Sequence, residues 1–250
     1  MKDEKMKVKA ILIDLDGTIF DITERDAFAR YKALSDLGYD ISLEAVRRYY
    51  HFGAGRLGPV KELGIEFTKE KEEEYIKASF AHFVEREASR LTKIHKGAHD
   101  VLSALAKRFR LAVVTSRETL SSTEEELGDF DIRRFFSLIV TREVAAEYYG
   151  VEKIPLLPFH EQRKKLYECA IGLTEADPGD MLCIGDSVEE LQPAKELGIK
   201  VIGVLTGFSN KEDMEKASIP TISDFSQLIK MIDHRSSVQA LNLVFWIVGL

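Results

Sequence analysis

The chain has 250 residues, 45% of them apolar and 31% charged, and a formal net charge of -7. That length holds one large core, or a core with a smaller second domain, and the acidic balance argues against a nucleic-acid partner, which would need a basic face for phosphate. Two cysteines, Cys169 and Cys183, lie far apart without a C-x-x-C spacing, which excludes a disulfide framework or zinc knuckle and points to a reduced, cytoplasmic protein.

In chain order, the charged "MKDEKMKVKA" carries no secretory signal and leads into a first expected strand, Lys9–Asp14. Residues 22–95 then show no convincing strand, only helical patterns near Glu24–Leu37, Leu43–Tyr50 and Thr68–Arg90. Within this stretch "GAGRLG", residues 53–58, matches a dinucleotide-binding fingerprint but follows a helical pattern instead of a strand, so it is read as a glycine-rich bend. His95 and His99 have the spacing of metal ligands on a helix, but Gly97 between them weakens the helix and no third ligand is near. Strands are then expected at Arg110–Thr115, Leu138–Thr141, Met181–Gly185, Lys200–Leu205 and near Pro220–Ile222. They alternate with helices near His99–Arg108, Thr119–Leu127, His160–Ile171, Glu190–Leu197 and Asp224–Ile232.

The strands read as continuous apolar runs, so they are expected to be buried on both faces. The fold class is therefore α/β, a doubly wound, Rossmann-like parallel sheet, with a helical domain inserted after the first strand. The expected partition is 1–19 with 96–236 for the core, 20–95 for the insertion and 237–250 for an apolar tail. The closing "VQALNLVFWIVGL" falls short of the roughly 20 apolar residues of a spanning helix, so a packed tail, a subunit contact or a foreign or frame-shifted end is expected, not a membrane-surface anchor. The protein is expected to be a monomer or homodimer.

The first strand ends in "ILIDLDGTIFD", residues 11–21. Two carboxylates one residue apart at the end of a buried strand are costly to desolvate, and they repel unless a proton or cation compensates. In an open parallel sheet ligands bind outside the carboxyl ends of the strands. Asp14 and Asp16, then Thr115 and Ser116 from "LAVVTSRE", then Asp186 with Glu189 and Glu190 from "MLCIGDSVEEL", should all reach that edge. Phosphoryl transfer needs such a set. A carboxylate can attack phosphorus, hydroxyls can hold phosphate oxygens, a second carboxyl group can carry the proton, and Mg²⁺ suits clustered carboxylates.

"DLDGT", "VVTS" and "IGDSVEE" resemble motifs one, two and four of the haloacid dehalogenase superfamily, and the insertion resembles its helical cap. The resemblance covers about residues 8–232 in order. It implies Asp14 as nucleophile and Mg²⁺ ligand, and Asp16 as general acid/base that offers its backbone carbonyl to the metal. Thr115 would hold the phosphoryl group, Asp186 would complete the metal site, and Glu190 would be the second acid, reaching the metal through water. The third motif, a lysine that neutralises nucleophile and phosphate, has no clean match in "VEKIPLLPFHEQRKKLYE". Lys153, just before a proline, is the first choice, with Lys164 or Lys165 as alternatives. Arg56 in the glycine-rich bend and Ser116 are the expected substrate contacts. The expected function is a Mg²⁺-dependent phosphatase of a small phosphorylated metabolite. The alternatives are a phosphosugar mutase, a haloacid dehalogenase, against which Asp16 speaks, and a non-catalytic binding protein.

Overall fold

In the computed structural model, which describes residues 8–49, 57–154 and 158–228, the first apolar run forms β1 (Ala10–Ile13), buried on both faces. The chain then enters β2 (Phe20–Asp21), α1 (Thr23–Asp36), α2 (Leu43–Tyr49), α3 (Gly58–Glu62), α4 (Lys69–Phe83), α5 (Arg86–Ser89) and β3 (Lys93–Ile94). From there it continues as α6 (Ala98–Ala106), β4 (Arg110–Val114), α7 (Leu120–Asp129), β5 (Leu138–Val140), α8 (Arg142–Tyr149) and α9 (Phe159–Thr174). β6 (Met181–Gly185), α10 (Val188–Glu196), β7 (Lys200–Val204), α11 (Lys211–Lys216) and β8 (Thr221–Ile222) complete the described chain.

Six strands form one sheet in the order β5-β4-β1-β6-β7-β8, and every pairing is parallel. β1 is central, with Ile13 level with Val113 on one side and Ile184 on the other. The chain builds outward to β5, then returns across β1 to start the other half at β6. Strand order therefore reverses at β1, and a crevice opens at the carboxyl ends of its neighbours. The helices cover the sheet with apolar stripes. α6, for example, buries Ala98, Val101, Leu102 and Leu105, the spacing of one helical face.

The chain divides into two compact units, with breaks between Ile19 and Phe20 and between Ile94 and His95. The unit from Phe20 to Ile94 has its own core of Ala27, Ala33, Leu34, Val46, Val60 and Tyr75. Its ends are tied by the antiparallel pair of β2 and β3, two residues each, too short to leave a period-two pattern in the sequence. The single helix expected over Thr68–Arg90 breaks at Val84 and Glu85 into α4 and α5. α8 and α11 were not expected. Each is short and starts on a side-chain cap, Thr141 accepting from the Val144 N–H and Asn210 from the Asp213 N–H.

Among the described residues no helix is long and apolar enough to cross a membrane. The apolar tail of residues 237–250 and the expected substrate contact Arg56 lie outside the described residues.

Candidate active site

Asp14, Thr115 and Asp186 are each the first residue beyond β1, β4 and β6, three adjacent strands of the sheet. Parallel strands in register end at one level, so three residues remote in sequence share one edge. All three are buried, Asp14 at 3% and Asp186 at 1% exposure. The Asp14 N–H donates to the Ile184 carbonyl at 2.9 Å, and the Thr115 N–H to the Val140 carbonyl at 3.0 Å. Each side chain thus leaves from backbone that is still held by its neighbour.

Gly17 turns the chain after Asp16 with φ of +83°, a conformation that disfavours a side chain. A Cβ there would fall 2.3 Å from Asp186 Oδ2, and one at Gly207 would fall 1.7 Å from the same oxygen. The two glycines let backbone close around the Asp186 carboxylate, and the Phe208 N–H donates to Oδ2 at 2.7 Å. Ser187 caps α10 by accepting from the Glu190 N–H at 3.2 Å, which sets Glu190 on the first turn, facing the strand ends.

Carboxylate oxygens of Asp14, Asp186 and Glu190 lie within 4.8 Å of one another. Asp14 Oδ2, Asp186 Oδ1 and Glu190 Oε2 are buried with no donor in reach, an expensive arrangement for three acids unless a cation is shared among them. Oxygen donors at this spacing fit a hard divalent cation. Burial first, then the Glu190 charge, pushes Asp14 well above the ordinary carboxylate range, with Arg163 pulling the other way. Asp186 is raised for the same two leading reasons, and Glu190 is raised by burial against the opposing charge of Arg163.

The cation at this cluster is Arg163, on the first half of α9 and 0% exposed. Its Nη1 lies 3.5 Å from Asp14 Oδ1, 3.7 Å from Glu190 Oε1 and 3.2 Å from Ser116 Oγ. Its Nη2 donates to Tyr167 Oη at 2.8 Å, and the guanidinium lies 5.1 Å from the Tyr167 ring centre. The Cys183 thiol donates to the same hydroxyl, and burial pushes that thiol up to about 12. Lys153, the first choice for this role, is exposed in the segment after α8. Lys165 lies over the Tyr149 ring, and Lys164 takes no part in the cluster among the described contacts. Arg163 falls on the buried stripe of α9 with Leu166, Tyr167 and Ala170, whereas both lysines are off it. A charged residue on an apolar helical stripe was the available signal, and it was missed.

Asp16 is partly exposed, at 22%, and its carboxylate is bound in a fork by Arg117, Nε to Oδ2 at 3.1 Å and Nη2 to Oδ1 at 2.6 Å. Arg117 was also missed, although it follows "VVTS" directly. The Ser116 hydroxyl faces Arg163, and Thr115 Oγ1 accepts from the Arg117 N–H at 3.4 Å. The structure therefore brings together Asp14, Asp186, Glu190, Ser116 and Arg163 in one contact network, with Thr115 on the same edge and Asp16 held beside it by Arg117.

The family model described as haloacid dehalogenase-like hydrolase matches residues 11–204. The chain is 28% identical over 232 residues to a protein of Caldanaerobacter subterraneus named as a pyrophosphatase, PpaX, covering 91% of this chain and 96% of that one. It is 29% identical over 234 residues to a phosphoglycolate phosphatase of Aquifex aeolicus, with 91% and 98% covered. A crystal structure from Clostridium difficile, described as a phosphatase, superposes with a TM-score of 0.68 at 22% identity, covering 90% of this chain and 99% of that one. That likeness establishes the fold, and the family model, spanning most of the chain, establishes the rest: the chain belongs to the haloacid dehalogenase-like hydrolases.

Proposed function

We propose that this hydrolase is a Mg²⁺-dependent phosphatase that releases phosphate from a small phosphorylated metabolite through an aspartyl-phosphate at Asp14. It is an enzyme of phosphate-ester hydrolysis, in line with the names of its relatives. The observation that carries the finer reading is the meeting of Asp14, Asp186 and Glu190 at three adjoining structural elements, each with a buried oxygen that lacks a donor.

Asp14 Oδ attacks phosphorus as the bond to the ester oxygen breaks. Asp16, in the protonated form that competes with its pairing to Arg117, gives its proton to the departing alcohol. Asp16, now a carboxylate, takes a proton from water as that water attacks the phosphorus of the acyl phosphate. The bond from phosphorus to Asp14 breaks, and Asp14 is regenerated with inorganic phosphate released. Arg163 keeps positive charge at Asp14 throughout, and Thr115 and Ser116 offer hydroxyls to the phosphoryl oxygens. When bound, the divalent cation at Asp14, Asp186 and Glu190 would neutralise the carboxylates and the phosphate charge. The backbone carbonyl of Asp16 is a further candidate ligand.

Residues 20–95 act in this reading as a cap that selects the substrate, with Arg56 as one candidate contact. Phosphoglycolate and pyrophosphate are the first compounds to test, from the names of the relatives. A cytoplasmic location agrees with two free, buried thiols, Cys169 and Cys183, and a monomer or homodimer is the proposed state. The test is phosphate release from those two compounds and p-nitrophenyl phosphate, with and without Mg²⁺, in the wild type and Asp14→Asn. Mg²⁺-dependent release that disappears in the variant supports the reading. An isomerised product in place of free phosphate, or release that survives Asp14→Asn, would overturn it.

A further inference from the structure

We infer that Tyr167 is the positioning residue for Arg163: its hydroxyl, held from β6 by Cys183, fixes one arm of the guanidinium so that the other is directed at Asp14. The inference rests on the proposed reaction at Asp14, with Arg163 as its counter-charge. Among the described contacts of the guanidinium, the bond from Nη2 to Tyr167 Oη is the shortest, at 2.8 Å. Nη2 reaches the Val114 carbonyl only at 3.4 Å. Nη1 stands 3.2 Å from Ser116 Oγ, 3.5 Å from Asp14 Oδ1 and 3.7 Å from Glu190 Oε1. Nε is buried without a partner and restrains nothing. The group is thus gripped closely at one point, and that point is a hydroxyl on its own helix.

Tyr167 lies one turn after Arg163 on α9, and helical side chains lean toward the N-terminus. The ring therefore reaches back to the guanidinium, which lies 5.1 Å from its centre. From the sheet side the Cys183 thiol holds the same hydroxyl at 3.4 Å. Cys183 is the middle residue of β6, three before Asp186, so Arg163 is set relative to the strand that delivers Asp186. A carboxylate in place of the hydroxyl would also accept from Nη2, but it would neutralise the charge that Asp14 and a phosphoryl group require. A hydroxyl accepts the bond and leaves that charge in place. Burial keeps the Tyr167 hydroxyl neutral, well above its ordinary range, against the pull of Arg163. A lysine offers all its donors from a single nitrogen, so Tyr167 and Asp14 would compete for one point; the two arms of an arginine serve both.

The experiment measures kcat and KM for phosphate release from p-nitrophenyl phosphate with Mg²⁺, each protein well below its melting temperature. The set is wild type, D14N, Y167F, R163K, the Y167F/R163K double variant and T174V. Y167F keeps the ring and loses only the acceptor. Its kcat should fall by about 10-fold to 100-fold, as expected when a charged group at the reacting atoms is slightly misplaced, with KM nearly unchanged. Placed in the R163K background, Y167F should cost nothing further, because the arm that Tyr167 holds is gone. T174V removes another buried hydroxyl of α9, bonded to the Ala170 carbonyl at 2.7 Å, and should lower the melting temperature without lowering kcat. A Y167F that fails to fold leaves C183A to carry the same cycle, with a smaller loss of kcat that also disappears in R163K. An unchanged kcat, a loss confined to KM, a loss that adds in full to that of R163K, or an equal loss of kcat in T174V would overturn the inference while D14N remains inactive. Release that survives in D14N would overturn the underlying reaction, and this inference with it.

Discussion

Nη1 of Arg163 stands 3.5 Å from Oδ1 of Asp14, although 149 residues separate them, and neither side chain is more than 3% exposed. An arginine serves here because one planar group can meet Asp14, Ser116, Tyr167 and the Val114 carbonyl at once. A lysine would bring the charge without the fork.

R163M should therefore leave Asp14 and Glu190 buried without their counter-charge and destabilise the protein by about 3–5 kcal/mol. R163K should be the milder change in both stability and turnover. K153A, at an exposed position, should fall within about 0.5 kcal/mol of wild type. Urea unfolding of the three variants tests this, and equal losses in K153A and R163M would refute the assignment of Arg163.

Asp14→Asn should reduce phosphate release by at least about 10³-fold, because an amide cannot accept the phosphoryl group and proceed. Rapid acid quench with a radiolabelled substrate should trap phosphate on the wild-type chain, labile to hydroxylamine, and none on the variant. A labelled D14N chain would place the nucleophile elsewhere.

Asp186→Asn removes one of three buried like charges while leaving an oxygen for the Phe208 N–H. Without metal, the variant should melt higher than wild type at neutral pH, by several degrees for a gain of about 1–2 kcal/mol. Added Mg²⁺ should raise the wild-type melting temperature and leave the variant nearly unmoved. Calorimetry with EDTA and then with Mg²⁺ reads both effects, and a variant that melts lower than wild type in EDTA would contradict the charge-repulsion account.

The direction of pH dependence follows from the raised pKa values of Asp14, Asp186 and Glu190. The folded metal-free protein holds protons at these sites that the unfolded chain has already released, so their penalty is absent below the ordinary carboxylate range. It grows as pH rises through that range toward the folded values. A divalent cation must displace the same protons, so Mg²⁺ affinity should rise with pH over that window. Titration of Mg²⁺ by melting temperature at several pH values checks the sign, and affinity that falls as pH rises would reverse the picture.

Much of this protein was legible in its sequence. Continuous apolar runs at Ala10–Ile13, Arg110–Val114 and Met181–Gly185 specify strands buried on both faces. Acids and hydroxyls at their carboxyl ends then mark a candidate ligand edge, because burying Asp14 and Asp186 without compensation is costly. The break from strands to helices between residues 20 and 95 was equally visible. What remained hidden was decided by contact between remote segments. β2 and β3 are two residues each and exist only because their partners meet. Arg163 carries no local mark that separates it from Lys164 and Lys165 except its place on the buried face of α9, and the packing of that face against the strand ends selects which cation reaches Asp14. Arg117 meets Asp16 across 101 residues. Periodicity and cost of burial act along the chain and can be read there; the pairing of charges depends on distances that only the folded sheet creates.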